Sequence, residues 1–485
     1  MYVLGVDFGG GASKATLLDE KGRVCAAAAA EYPTDYGSDG KAEQNPADWY
    51  AAACKNIRAV TKDIDVRQVT CLCFDAATHT AVLTDERFRP LRPAVYWTDT
   101  RCITEKARLA ERYGDRIFSV CKHRPDTIWT LPQLMYIKRT EPDTFARVRH
   151  VCFAKDYVRH LFTGDFVTDG IEAEGSMLFD FDGRRWDDEL LALAGLDTSV
   201  MPEIVSPLDV TGRLTETAAR DTGLPASVRV ICGSTDTAME VFAAGGVRAG
   251  DTTVKLATAG RICVVADRYV PDGNIVNYSH VKEGLYYPGS ATKSCAASLR
   301  WFRDTFGGDY AAYDRAAAEI PAGCGGLLFH PYLNGELTPY AEPELTGAFT
   351  GICAEHGKAH FARAVMEGAA LSLLDCANYL KERGLPPADT ARIIGGGAKS
   401  ALWRGILADV LGMTLVSTEH NDSSFGSAMC AGIAAGFFAG FDDAARTCIR
   451  VTGTTGPDAD RHAVYRQIFA RYKRLADFFA EQCRA

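Results

Sequence analysis

Asp7 sits in an apolar run, Val3 to Phe8, that opens into Gly9-Gly10-Gly11 and resumes through Ser13 and Lys14 into Ala15 to Leu18. Successive glycines remove every Cβ from a turn, so backbone N–H groups can approach an anion closely and converge on it. A carboxylate cannot bind phosphate itself, so Asp7 beside such a turn implies Mg²⁺ between them, held largely through water. The same residues also suit an ordinary hairpin with a flexible turn. Asp236 is a second candidate, just past an apolar run in Ile231-Cys232-Gly233-Ser234-Thr235-Asp236-Thr237-Ala238. There it can take the proton of a substrate hydroxyl as a phosphoryl group arrives, chemistry that otherwise needs positioning and charge neutralisation. It can equally cap the helix that follows.

Gly395-Gly396-Gly397-Ala398 follows the strand-like Ala391 to Ile394, and its backbone can lie flat against a nucleotide or simply make a tight turn. His79, with Trp97 and Asp99 in Trp97-Thr98-Asp99-Thr100-Arg101, can form the wall of a site for a polyhydroxylated ligand, which needs fixed donors and acceptors plus an apolar face. A lone histidine is more commonly structural. Neither glycine turn fits the dinucleotide-binding fingerprint, and no Walker-type run of glycine, lysine and Ser/Thr is present.

The elements that must position these residues alternate between strand-length apolar runs and segments of helical period, the pattern of an α/β protein. Val69 to Phe74 and Val228 to Cys232 read as strands leading into turns at His79 and Gly233, and strand ends of this kind are where α/β folds place ligands. Helices are expected over Ala47 to Val60, Asp188 to Ala194, His360 to Leu380 and Ser400 to Leu411, the third apolar enough to lie buried between layers. Ala26 to Ala30 fits an outer strand. Thr252 to Leu256, Ala257-Thr258-Ala259-Gly260 and Arg261 to Ala266 repeat the strand, small-residue turn, strand plan of the N-terminus. Two related halves follow, with a boundary near the glycines of 244–250.

A chain of 485 residues exceeds the size at which single cores stop growing, which agrees with two domains. The net charge of −9 provides no basic excess to displace phosphate counterions, so nucleic acid is excluded as a partner. No apolar stretch approaches the roughly 20 residues of a membrane helix, and no signal-like segment opens the chain, so a cytoplasmic protein with no membrane partner is expected. The 16 cysteines are scattered, without Cys-x-x-Cys or zinc spacing, and read as small buried hydrophobes.

The segments Gly347-Ala348-Phe349-Thr350-Gly351-Ile352 and His360-Phe361-Ala362-Arg363-Ala364-Val365-Met366-Glu367, preceded by Pro331 to Glu336 and Thr338-Pro339-Tyr340, resemble the C-terminal signature region of the FGGY carbohydrate kinases. Within that family the xylulokinase branch is most similar, and ordered landmarks run from Val3 to about Gly436. The resemblance implies two actin-like (ribonuclease H-like) α/β domains around a central cleft, 1–246 carrying the sugar site and catalytic base and 247–485 binding nucleotide. It implies ATP and Mg²⁺ as cofactors and a sugar as substrate, D-xylulose first. Ribulose, L-xylulose, erythritol and glycerol are alternatives, and an actin-like ATPase switch or a sugar sensor without transfer is a remote one. Assembly as a homodimer is left open.

By the same resemblance Asp236 is the catalytic base, and Asp7 with Asp236 holds the metal through water. Gly9, Gly10, Gly11, Lys14, Thr258, Gly260, Gly396, Gly397 and Ser400 face ATP. Thr78, His79, Trp97, Asp99, Asp236 and Thr237 face the sugar. The chain also departs from the family pattern. Gly10 stands where most members have Thr, Thr98 and Thr100 replace Asn and Gly, and Thr78 and Thr80 replace Met and Gly beside His79. Thr237, Gln133 and Ala296 occupy positions that commonly hold Asn, Lys and Gly.

Overall fold

The computed structural model describes residues 1–484, which divide into two compact units. The first comprises Met1–Ala243, Tyr278–Gly284 and His420–Ile449; the second takes Ala244–Asn277, Leu285–Glu419 and the chain from Arg450 onward. The break between Ala243 and Ala244 lies beside the expected boundary at 246/247, but the chain later returns twice to the first unit.

In the first unit, β1 (Tyr2–Phe8), β2 (Ala12–Asp19), β3 (Val24–Glu31), β4 (Val69–Ala76), β5 (Val210–Arg213) and β6 (Arg229–Thr235) form one sheet in the order β5-β6-β4-β1-β2-β3. The hairpin strands β1, β2 and β3 pair antiparallel, β1, β4 and β6 pair parallel, and β5 closes the edge antiparallel. The second unit has β7 (Thr252–Leu256), β8 (Gly260–Val264), β9 (Gly289–Thr292), β10 (Thr390–Ile394), β11 (Thr414–Thr418) and β12 (Val451–Thr455) in the order β9-β8-β7-β10-β11-β12. Its pairings follow the same sequence of directions: two antiparallel, two parallel, one antiparallel. The short echo in the sequence therefore marks the first hairpin of two sheets with one plan.

Two strands run further than their apolar runs suggest, and both extensions lead to a carboxylate. β4 continues past Phe74 through Asp75 to Ala76. β6 continues through Gly233, which is not a turn after the strand but a bulge inside it: the register shifts between Ile231 and Ser234, and Gly233 has φ +72°. A Cβ there would lie 1.9 Å from the Phe74 carbonyl oxygen, so only glycine lets β6 pass and deliver Asp236 at its end.

Helices α1 (Pro46–Thr61), α2 (Ala154–Thr163) and α3 (Gly170–Glu174) belong to the first unit, as does α4 (Asp236–Ala243), which starts directly after β6. In the second unit α5 (Ala296–Phe306) and α7 (Ala401–Leu411) flank α6 (Lys358–Glu382). The long α6 is buried over most of its surface against β8, β9 and both helices, as its apolar composition predicts. α8 (Ser423–Ala435) returns to the first unit and packs on β1, β4 and α4. Its small residues make that possible. A Cβ on Gly5 would fall 2.0 Å from Ser424 O, and one on Gly426 would fall 2.2 Å from Met239 O, so helix and sheet meet backbone to backbone. All cysteines are free, and Cys25, Cys353 and Cys483 are the exposed ones. No helix among the described residues is long and apolar enough to cross a membrane.

Candidate active site

Three parallel strands of the first sheet end in carboxylates. Asp7 on β1 pairs in register with Asp75 on β4, and β6 runs into Asp236 at the first position of α4. Carboxyl ends of parallel strands are where open α/β sheets present ligand sites. Burial pushes the Asp7 carboxyl up to about 7, and the charges of Asp236 and Asp422 add to this, while Asp75 hydrogen bonding and Lys14 oppose it. Asp75, fully buried, is raised well above the carboxylate range by desolvation and by Asp7. Ser427 Oγ donates to Asp75 Oδ2 at 2.5 Å. Asp236 Oδ1 accepts from the Thr237 N–H at 2.6 Å and from the Thr78 and Thr237 hydroxyls, each at 3.2 Å. These donors orient the carboxylate.

The Gly9-Gly10-Gly11 turn is stiffened from one side. Tyr32 Oη donates to Gly9 O at 2.5 Å, Gln44 Nε2 donates to Gly10 O at 3.1 Å, and Thr34 Oγ1 also donates to Gly10 O. The Tyr32 N–H donates to Gly11 O at 3.1 Å, and the Gly9 N–H closes the turn onto Ala12 O at 3.0 Å. With its carbonyls engaged, the turn has the N–H groups of Gly10 and Gly11 left to offer, without a partner among the described residues. Free N–H groups on a preset backbone are the arrangement by which a turn can receive an anion. Lys14 is exposed one strand position beyond Ser13.

His79 adopts φ +52°, a conformation that costs a non-glycine residue on the order of 1–3 kcal/mol. It is held there from both sides of its peptide: the N–H donates to Glu172 Oε1, and its carbonyl accepts from Thr130 Oγ1 at 3.0 Å. The ring is buried against Trp129 at 5.0 Å between centroids, and burial with the neighbouring His123 pushes it down to about 3, so it is neutral near pH 7. Beneath it, Asp169 caps α3 and accepts from Ser234 Oγ at 2.8 Å, while Lys155 Nζ reaches Asp169 at 2.9 Å and Asp156 at 2.6 Å. Arg159 pairs with Asp156 and Asp165 and donates to Cys232 O. One buried ionic network thus ties the His79 loop to the strand that carries Asp236.

The remaining expected residues fall in different settings. Trp97 is 41% exposed, with its ring 5.9 Å from that of Tyr96. Asp99 is 1% exposed, and its carboxylate accepts from the Ala42 N–H and from Arg101, so it braces the loop that holds Trp97. Gln133 is buried and donates to Thr127 O. In the second unit Thr258 is exposed between β7 and β8, and its carbonyl accepts the N–H groups of Cys295 and Ala297 at the start of α5. Gly260 is buried against Thr292, Cys295 and Leu373. Gly396 is exposed and Gly397 lies against Leu256. Ser400 caps α7 by accepting the Trp403 N–H at 3.1 Å. Asp75 and Asp422, absent from the sequence reading, join the first unit's site. An acid directly after the run Leu72-Cys73-Phe74 was the available signal for Asp75; Asp422 resembles any helix cap.

Comparison with known proteins matches residues 2–243 to the N-terminal domain of the FGGY family of carbohydrate kinases and residues 249–435 to its C-terminal domain. A Bacillus subtilis protein named xylulose kinase is 30% identical over 98% of this chain and 96% of its own length. The Escherichia coli protein of that name is 31% identical over 98% of each chain. A crystal structure of xylulose kinase from Rhodospirillum rubrum superposes with a TM-score of 0.91 at 29% identity, covering 99% of this chain and 100% of the other.

Proposed function

We infer that this chain, which belongs to the FGGY family of carbohydrate kinases, transfers the γ-phosphoryl group of ATP to a hydroxyl of a ketopentose, D-xylulose being the first candidate. The observation that carries the reading is the set of carboxylates at the parallel strand ends, Asp236 among them, beside a glycine turn whose carbonyls are anchored while the Gly10 and Gly11 N–H groups have no partner among the described residues. Relatives aligned over nearly their full lengths and named xylulose kinase support the sugar.

In this reading Asp236, oriented by Thr78 and Thr237, accepts the proton of the attacking hydroxyl. The N–H groups of Gly10 and Gly11 face the charge that develops on the phosphoryl oxygens. His79, neutral and fixed, offers a ring nitrogen to a sugar hydroxyl, and the exposed Trp97 offers an apolar face. Thr258, Gly260, Gly396, Gly397 and Ser400 belong to the nucleotide side of the same proposal. Burial raises Asp7 most, and the nearby charges of Asp236 and Asp422 that add to it fit a divalent cation. Among the described residues no group of three or more ligands could hold a metal alone, which suits Mg²⁺, an ion that keeps several waters. Asp7 and Asp236 would hold it through water, and when bound it neutralises phosphate charge. ATP as donor implies a cytoplasmic reaction.

A coupled ADP-release assay with D-xylulose, ribulose, L-xylulose, erythritol and glycerol tests the substrate, and D-xylulose is expected to give the highest kcat/KM. Asp236→Ala is expected to abolish transfer and keep nucleotide binding. Near-normal turnover in that variant would remove Asp236 from its role, and ADP release indifferent to every sugar would overturn the kinase reading.

A further inference from the structure

Gly10 is the position of the turn with a steric reason to be glycine. A Cβ there would meet Tyr96 Oη at 2.8 Å, whereas nothing lies within 4 Å of the corresponding point at Gly11, and the nearest atom at Gly9 is Ala12 O at 3.5 Å. The phenol thus fills the space that a side chain of the turn would take. Tyr96 is 6% exposed and packs with Ala42 and Ala77. Its backbone is fixed at both ends, the Tyr96 N–H donating to Ala42 O and its carbonyl accepting from the Asp99 N–H, each at 2.9 Å. Asp99 is itself locked by Ala42 and Arg101. The loop that carries the phenol is therefore anchored, and the hydroxyl lies directly against Gly10 of the turn.

We propose that Tyr96 donates its phenolic hydrogen bond to the phosphoryl group seated on the Gly9-Gly10-Gly11 turn, supplying from a neighbouring loop the hydroxyl that the turn lacks. This rests on the kinase reading. The chemistry suits an anion: burial and the negative charges of Asp236 and Asp7 raise the phenol, so it remains an O–H donor throughout the physiological range. An uncharged donor also adds stabilisation without competing with the acidic groups for a cation.

Tyr96→Phe removes Oη alone and keeps the ring's packing. The full-length chain is titrated calorimetrically with ADP and with β,γ-imido-ATP, and sugar KM is measured in parallel. The variant is expected to lose about tenfold in affinity for the triphosphate, the scale of one hydrogen bond to a charged group, with ADP affinity and sugar KM unchanged. Gly10→Ser combined with Tyr96→Phe, which returns a hydroxyl from the turn and removes the atom it would strike, is expected to recover most of the loss. An unchanged ratio of triphosphate to ADP affinity in Tyr96→Phe would overturn the proposal. So would a raised sugar KM with that ratio intact, which would assign the hydroxyl to the sugar. A wild-type chain that binds neither nucleotide would instead overturn the kinase reading and this proposal with it, a failure distinguishable from the other two.

Discussion

Replacing Asp7 by Asn is expected to trade activity for stability, and the size of the trade depends on pH. The native carboxyl titrates at about 7 against an ordinary value of 3.8, so the folded state holds its proton more tightly than the unfolded chain. The stability associated with that proton is fully present below about pH 4 and is lost as pH rises through about 7. At about 1.4 kcal/mol per unit, the buried carboxyl costs the fold about 4 kcal/mol at pH 8, and about 2 kcal/mol at pH 5, where the unfolded chain has lost the proton and the native state keeps it. Asp7→Asn removes the ionisation, so its gain over wild type is expected to be larger at pH 8 than at pH 5 by roughly 2 to 3 kcal/mol. Taking the difference between two pH values cancels any effect of the amide on packing. The assay is urea unfolding of both proteins at each pH, in EDTA and without nucleotide, because ligands bound only by the native state would mask the effect. A gain that is the same at both pH values, or greater at pH 5, would refute the reasoning. Turnover of the variant is expected to fall at least a hundredfold, by analogy with the removal of one preorganised charged group.

Glu172 is pushed well above the carboxylate range by burial, so Glu172→Gln, which keeps an acceptor for the His79 N–H, is expected to be near neutral in stability and sugar KM at pH 7. Glu172→Ala should cost about 1–3 kcal/mol and raise sugar KM, because a buried donor loses its partner; equal behaviour of the two variants in thermal melts and kinetics would contradict this. Lys155→Met leaves Asp156 and Asp169 buried beside an uncharged side chain and is expected to destabilise by about 3–5 kcal/mol, checked by denaturant midpoints. Gly426→Ala drives a Cβ to 2.2 Å from the Met239 backbone and should cost at least about 1–3 kcal/mol; an unchanged melting temperature would refute the close contact. His79, held near 3, is expected to leave sugar KM without a histidine inflection between pH 5.5 and 8, and a break near 6.5 would show a solvated ring.

Local signals located most of the elements. The helix expected over Ala47 to Val60 forms as Pro46–Thr61, that over Asp188 to Ala194 forms with those bounds, and Ser400 turns out to cap the helix it was expected to begin. Ala26 to Ala30 lies in the edge strand β3. Asp7 and Asp236 stood out because each follows an apolar run and adjoins small residues. Asp75 did not, because its run seemed to end at Phe74, and a single acid at that point has no periodicity to mark it. The settings of Asp99 and Gln133 were equally hidden, since nothing in their spacing says whether a polar side chain faces a ligand or satisfies a neighbouring peptide.

Alternation of apolar and polar residues, glycine turns and helix caps are short-range properties, and they determined from the sequence alone that the chain is α/β and that its N-terminal hairpin recurs in the second half. What the tertiary structure decided is which distant groups meet. Ser427 reaches Asp75 across 352 residues of chain, α8 returns to the first unit because small residues let it lie against β1, and Tyr96 fills the space above Gly10. Such approaches depend on packing at tenths of an ångström between segments with no local relation, and there desolvation and neighbouring charge set the properties of Asp7, Asp75 and His79.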